Sequence, residues 1–211
     1  MIKINDLSIK YDSNVVFDNL SISFPQGALI GLIGPNGAGK STLIKAIDRE
    51  IPFSGTIDIN GARIARVFQK PTFNPVFPMS IRELLTDINS DFKDIVATLH
   101  LSEVLDKQLT EVSGGQSQKA LVARALLLDA DILLFDEPLV GVDKVSEKEI
   151  FKALKNEVAK NKTVIVSHHD LSTLELYFDY LVFLNHQIIA QGATEKVLNH
   201  TNLKNTFGAT L

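Results

Sequence analysis

The sequence contains no cysteine and no long apolar run. Without cysteine, the chain can form no disulfide and offers no thiolate ligand to a metal, which is consistent with a reducing cytoplasm. No apolar run approaches the roughly 18 to 20 residues that a membrane-spanning helix needs. The first residues, Met1 to Asp6, alternate like a strand and do not resemble a signal peptide. Work at a membrane would therefore require docking onto other chains.

Charge and size narrow the function classes further. The net charge is −4 and both signs are interspersed, so no basic patch supports a nucleic-acid partner and we expect none. At 211 residues, of which 45% are hydrophobic, the chain can bury a full core. It shows no internal repeat, low-complexity tract or flexible linker. These features predict one domain that spans residues 1–211.

A glycine-rich segment is the most informative motif. It fits the pattern G-x-x-x-x-G-K-[ST] and consists of Gly34, Pro35, Asn36, Gly37, Ala38, Gly39, Lys40, Ser41 and Thr42. The run Ala28–Ile33 predicts a buried strand leading into it, and Thr42–Ile47 predicts a helix leaving it. Phosphate oxygens need converging N–H donors, which a tight loop at a helix N-terminus supplies. The segment therefore predicts a nucleoside triphosphate site, in which Lys40 reaches the β- and γ-phosphates and Ser41 ligates Mg²⁺.

The order of predicted elements is that of an α/β protein. Residues 2–9 and 20–24 predict strands of a small antiparallel sheet, followed by short strands at 54–61 and 63–68. The runs Ile132–Phe135 and Thr163–Val166 lack polar alternation, as expected of central parallel strands that are covered on both faces. Apolar residues at helical spacing predict two amphipathic helices, one through Phe92, Ile95, Val96 and Leu99 and one through Ile150, Phe151, Leu154 and Val158.

Two further motifs follow the glycine-rich segment. Val112–Gln116, with the sequence V-S-G-G-Q, stands before an apolar helix, and Ile132–Pro138 is a strand that ends in Asp-Glu-Pro. In type, order and spacing these motifs resemble the ATP-binding-cassette (ABC) ATPases, and the resemblance runs from Tyr11 to about Gly192. It implies a P-loop α/β ATPase with a mainly parallel sheet, an antiparallel β subdomain and a small helical subdomain at about residues 75–128.

The resemblance also implies roles for the candidate catalytic residues. Asp136 would ligate Mg²⁺ together with Ser41 and Gln69, and Glu137 would be the general base that deprotonates the attacking water. Gln69 corresponds to the Q-loop glutamine, whose amide can sense both Mg²⁺ and that water. His169 directly precedes an aspartate, as the family's switch histidine does, and is expected to contact the γ-phosphate.

Expectations also attach to three other positions. Tyr11 stands where the family stacks an aromatic ring on adenine, although an ordinary tyrosine at a strand end is the alternative. Asp143 occupies the D-loop position. His168, beside His169, is expected to be structural. We reject a metal site at this pair, because neighbouring residues at a strand end point in different directions.

The V-S-G-G-Q segment bears on the oligomeric state. Its members Ser113, Gly114, Gly115 and Gln116 stand at a helix N-terminus, which attracts anions. In the resembled family this segment closes on ATP held by the phosphate loop of a second subunit. Since this chain carries one copy of each motif, the resemblance implies a head-to-tail homodimer that forms with ATP.

Within the family the chain looks most like ATPases of manganese, zinc and iron importers that are fed by a metal-binding protein. The likeness is in Glu137–Asp143, Val166–Thr173, Tyr177–Asp179 and Leu184–His186. The short interval from Gln69 to Ser113, with Leu184–His186, resembles zinc importers, whereas the His-His and Tyr-Phe-Asp runs resemble manganese importers. Taken together these features favour zinc slightly over manganese. The resemblance implies a place on the cytoplasmic face of the cell membrane, with Pro71–Leu85 receiving an integral-membrane permease and the metal-binding protein reached only indirectly.

Other function classes fit the sequence less well. Non-transport ABC ATPases of translation or DNA repair carry two cassettes or a long coiled-coil insertion, and neither is present. A small-molecule kinase on the same P-loop would not need Ser113–Gln116. An importer of another substrate class stays open, because the cargo would never touch this subunit.

Overall fold

The strands form two sheets in the part of the chain that our computed structural model describes, residues 1–67, 79–89, 91–139 and 141–208. The strands are β1 (Ile2–Tyr11), β2 (Asn14–Phe24), β3 (Leu29–Ile33), β4 (Ser54–Asp58), β5 (Ile64–Val67), β6 (Ile132–Phe135), β7 (Thr163–His168), β8 (Tyr180–Leu184) and β9 (Ile188–Ala193). The smaller sheet has the order β2-β1-β4 and the larger one the order β5-β6-β7-β3-β8-β9.

Eight α-helices lie in the same described ranges. They are α1 (Lys40–Ile47), α2 (Ile81–Thr86), α3 (Lys93–Thr98), α4 (Gly114–Leu127), α5 (Lys144–Ala159), α6 (Leu174–Tyr177), α7 (Thr194–Val197) and α8 (His200–Phe207). Short 3₁₀ turns occupy Ser102–Val104 and Leu171–Thr173. Of the helices that the structure describes, none is both long and apolar enough to cross a membrane.

The larger sheet is parallel except at one edge. Strands β5, β6, β7, β3 and β8 pair in parallel, and β9 pairs antiparallel with β8. Strands β3, β6 and β7 are buried along their whole length, as predicted for strands covered on both faces. Because parallel strands end at the same edge of a sheet, the residues after β3, β6 and β7 come together there. The α/β prediction is confirmed.

The smaller sheet is antiparallel, as predicted, but its strands have other bounds. β1 pairs with both β2 and β4. β2 begins at Asn14 instead of residue 20, because its first half pairs with the end of β1 while exposing most of its side chains. That half therefore lacks the apolar alternation by which a strand is predicted from sequence. β4 ends at Asp58, before the turn in which Asn60 takes a left-handed φ of 53°.

The helices follow their predicted apolar faces with shifted ends. In α5, Ile150, Phe151 and Leu154 are buried against the larger sheet. Helix α3 is shorter than the apolar face predicted for it, whose first and last residues, Phe92 and Leu99, are the caps of the helix. It stops before His100, whose φ of 51° is left-handed and cannot continue a right-handed helix.

Candidate functional site

The glycine-rich segment forms a tight loop between β3 and α1. Gly37 and Gly39 take φ angles of 82° and 98°, which glycine adopts without strain. A Cβ atom on Gly39 would lie 2.5 Å from the ring of Phe17. A Cβ atom on Gly34 would lie 2.0 Å from the carbonyl oxygen of Leu184. The loop therefore packs against β2 and β8 more closely than any other residue type would permit.

Lys40 is the buried cation of this loop. Its Nζ donates hydrogen bonds to the carbonyl oxygens of Gly34, at 2.7 Å, and Pro35, at 3.0 Å. Burial lowers the pKa of Lys40, and the negative charges of Glu137 and Asp136 oppose that shift. An ammonium in this position can neutralise phosphate oxygens that enter the loop.

Asp136 is held by two hydroxyl groups just beyond the end of β6. Ser41 Oγ and Ser167 Oγ each donate to Asp136 Oδ1 at 3.0 Å. Ser167 Oγ also accepts the main-chain N–H of Glu137 at 2.6 Å. The buried carboxylate and the Ser41 hydroxyl form a set of oxygen donors of the kind that Mg²⁺ prefers. The structure thus brings together two of the three residues predicted to ligate Mg²⁺.

Sequence reasoning missed the role of Ser167. Its signal lies in the register of the sheet, since Phe135 pairs with Val166 and the next residues of the two strands are Asp136 and Ser167. Ser167 fixes the backbone of Glu137, which takes a left-handed φ of 47°. Such strained backbone persists only where its surroundings enforce it.

Six of the nine predicted phosphate-loop residues line one open pocket of about 440 Å³, whereas Gly34, Pro35 and Ala38 do not line it. Its walls are Tyr11, Val16, Asn36, Gly37, Gly39, Lys40, Ser41, Thr42 and Glu137. Tyr11 is 44% exposed, so its ring is accessible to a ligand. Val16 was not predicted, because it stands in the apolar run Val15–Phe17 and carries no motif that marks a ligand site. The pocket is of a size usual for small-molecule sites.

The two adjacent histidines lie in different surroundings. His168 is buried, its Nε2 lies 2.8 Å from Thr173 Oγ1, and its ring contacts Phe151 and Phe178. Burial, and then the positive charge of His169, lower the pKa of His168 to about 4. His169 is exposed at the carboxyl end of β7.

Ser113 and Asp143 cap two neighbouring helices. Ser113 Oγ accepts the N–H of Gln116 at 3.2 Å, and Gln116 Oε1 accepts the N–H of Ser113 at 3.0 Å. Asp143 accepts three hydrogen bonds at the start of α5, from the N–H groups of Val145 and Ser146 and from Ser146 Oγ, and they lower its pKa. A Cβ atom on Gly115 would lie 2.8 Å from Asp143 Oδ2, so the two helix starts touch.

The segment Ser113–Gln116 does not line the pocket formed by the described residues. Ser113 and Gly114 are instead exposed at the start of α4. Gln69 and most of the expected permease surface, residues 71–78, lie outside the described ranges, as does Val140 in the D-loop segment.

Comparison with known proteins gives four matches, one to a family model, two to relatives and one to a solved structure. The family model for ABC transporters matches residues 17–140. The manganese transport system ATP-binding protein of Bacillus subtilis is 36% identical over 234 residues, covering 100% of this chain and 93% of that protein. The zinc transport system ATP-binding protein of Treponema pallidum is 32% identical over 230 residues, covering 98% of this chain and 86% of that protein. A solved ATP-binding cassette of an ABC transporter superposes with a TM-score of 0.86 at 26% identity, covering 98% of both chains.

The buried His168 predicts a pH-dependent stability. Its folded pKa of about 4 lies below the ordinary value of 6.5, so between these values the unfolded chain binds a proton that the folded chain does not. The stabilisation is complete above pH 6.5 and is lost as the pH falls towards 4. We expect His168→Gln, whose amide can still reach Thr173, to flatten this part of the curve of unfolding free energy against pH.

Urea unfolding between about pH 7 and about pH 4 measures this curve. His200→Gln, a change of the same kind at an exposed histidine, is the control and should leave the slope as it is in the wild type. An equal slope in wild type and His168→Gln would contradict the prediction.

Proposed function

Because the chain belongs to the ABC transporter family and is an ATPase, we propose that it powers a membrane importer of a divalent transition metal ion. Similarity to a manganese and a zinc transport ATP-binding protein, over at least 98% of this chain, carries the proposal. We propose further that residues 1–211 form one ATP-binding domain, with its helical subdomain at about 75–128.

In this proposal ATP lies in the pocket between Tyr11 and the phosphate loop. The Tyr11 ring stacks on adenine, the loop N–H groups cradle the phosphates, and Lys40 leaves its carbonyl partners for the β- and γ-phosphates. Ser41 and Asp136, with Oγ and Oδ1 3.0 Å apart, would hold Mg²⁺ together with Gln69. The ion would supply positive charge to the phosphate oxygens.

Hydrolysis would begin with a water aligned by Glu137. This side chain lines the pocket, and Ser167 fixes its backbone. The water oxygen forms a bond to the γ-phosphorus, the bond to the leaving ADP oxygen breaks, and the water proton passes to the Glu137 carboxylate. His169, exposed at the same edge of the sheet, would contact the γ-phosphate and favour the reacting geometry.

A second copy of the chain would complete the site. Ser113 and Gly114 are exposed at a helix N-terminus and do not line the pocket formed by the described residues. Placed over the γ-phosphate of a partner, Ser113, Gly114 and Gly115 would supply hydroxyl and N–H donors to it. Asp143, which touches Gly115, would then lie in the contact between the copies.

The closing dimer would act on a permease from the cytoplasmic face of the membrane. We propose that Pro71–Leu85 receives the permease and that an extracytoplasmic metal-binding protein is reached only through it. The short Gln69–Ser113 interval supports zinc. Identity to the manganese relative, 36%, exceeds identity to the zinc relative, 32%, which supports manganese.

Replacing the proposed base should stop turnover without stopping binding. Glu137→Gln keeps the shape and hydrogen bonding of the side chain but cannot accept the water proton. We expect the ATPase rate to fall by about 10² or more, with ATP affinity retained, as measured by phosphate release and by titration with a fluorescent ATP analogue. Turnover near the wild-type rate would show that Glu137 is not the base.

ATP should hold two copies of the Glu137→Gln protein together. Adding Ser113→Arg places bulk where the partner's γ-phosphate is expected, so the dimer should be lost while each monomer still binds ATP. Size-exclusion chromatography with light scattering distinguishes the dimer from the monomer, and titration with a fluorescent ATP analogue measures binding by the monomer. Ser102→Arg, the same change at another exposed serine, is the control and should leave the dimer intact. A dimer that persists with Ser113→Arg would refute the head-to-tail arrangement.

Metal uptake tests the transport role. We expect disruption of the gene to reduce cellular accumulation of radioactive zinc or manganese, and we expect the wild-type gene but not Glu137→Gln to restore it. Loss of one metal identifies the cargo. Unchanged accumulation of both would overturn the proposal of metal import and leave the ATPase assignment standing.

A further inference from the structure

The turn between β8 and β9, residues Asn185–Gln187, reaches back to the pocket. The main-chain N–H of His186 donates to the carbonyl oxygen of Ala38 at 3.1 Å. The Nδ1 atom of His186 lies 3.3 Å from the carbonyl oxygen of Val16. Because a carbonyl oxygen can only accept, Nδ1 carries the proton in this contact. One residue near the end of the chain thus binds the backbone of two distant segments.

These two segments are neighbours in the wall of the pocket. Ala38 stands between Gly37 and Gly39, which line the pocket, and Val16 and Tyr11 line it as well. A Cβ atom on Gly39 would lie 3.2 Å from Val16 Cγ1. The phosphate loop follows β3 of the larger sheet, whereas Val16 belongs to β2 of the smaller one. His186 therefore joins two parts of the pocket wall that come from different sheets.

The turn is itself held from outside the pocket. Asn185 Nδ2 donates to the carbonyl oxygen of Thr206 in α8 at 3.2 Å, and Thr206 is fully buried. His186 takes a left-handed φ of 56°, a conformation that glycine adopts freely and in which asparagine, aspartate and histidine are enriched among the other residues. A histidine here keeps a side-chain donor directed at Val16 that glycine would lack. The turn thus does more than connect β8 to β9, because it is fixed to α8 on one side and holds Val16 on the other.

We propose that His186 is a positioning residue that sets the spacing between the phosphate loop and the Val16 wall and so tunes ATP affinity. The inference rests on the proposed placement of ATP in this pocket. The side chain and the main chain of His186 each contact a segment that lines the pocket. Removing the side-chain contact should therefore raise KM for ATP and the Kd of a fluorescent ATP analogue while leaving kcat nearly unchanged.

The test compares His186→Ala with His186→Asn in the full-length chain. Asparagine Nδ2 is two bonds from Cβ, as histidine Nδ1 is, and asparagine tolerates the positive φ. We expect alanine to raise KM and Kd by roughly threefold to tenfold, the usual range for one lost hydrogen bond. Asparagine should keep values near the wild type. If the alanine variant does not fold, His186→Gly removes the same donor without backbone strain.

Two reference variants separate the possible outcomes. Gln187→Ala changes an exposed side chain of the same turn and should bind ATP like the wild type. Lys40→Ala should lose ATP affinity if the pocket is the ATP site, and retained affinity would overturn that placement and this inference with it. If Lys40→Ala loses affinity, the inference alone is overturned when His186→Ala matches the wild type, when His186→Asn is as weak as His186→Ala, or when kcat falls with KM unchanged.

Discussion

One buried carboxylate joins the parts of the structure on which the site depends. Asp136, at the end of β6, accepts hydrogen bonds from Ser41 at the start of α1 and from Ser167 in β7. Three elements that are far apart in sequence are thereby fixed relative to one another at the carboxyl edge of the sheet. A carboxylate buried here without partners would be costly. The two hydroxyl groups make its burial tolerable, and that of Ser167 also sets the position of the neighbouring Glu137.

The charges of the site are arranged for a polyanion and its counter-ion. Lys40 sits among the loop carbonyls, with Asp136 and Glu137 close enough to oppose the lowering of its pKa by burial. The Lys40 ammonium is thus desolvated and held in the loop before any phosphate binds. A phosphate that enters exchanges one set of oxygen acceptors for another, so little reorganisation accompanies binding.

The local features of this site could be predicted from the sequence. The features that depend on strand pairing and on long-range contacts could not. The phosphate loop and β6 follow from a continuous motif and a continuous apolar run, because their cause lies within a few neighbouring residues. The position of Ser167 depends on pairing between β6 and β7, and that of His186 on contacts with residues 16 and 38. No local periodicity encodes such contacts. The first half of β2 escaped prediction for a related reason, since its mostly exposed side chains show no alternation that would reveal the backbone pairing with β1.

The pocket is lined by residues from both sheets. Tyr11 and Val16 belong to the smaller sheet, and the phosphate loop leaves the larger one. A ligand that contacts both walls is therefore a crosslink between two layers of the fold. By linkage, any ligand that binds only the folded state stabilises it by an amount set by its concentration and affinity. With ATP placed in this pocket as proposed, that stabilisation would act between the two sheets, and we expect bound nucleotide to hold them together more rigidly.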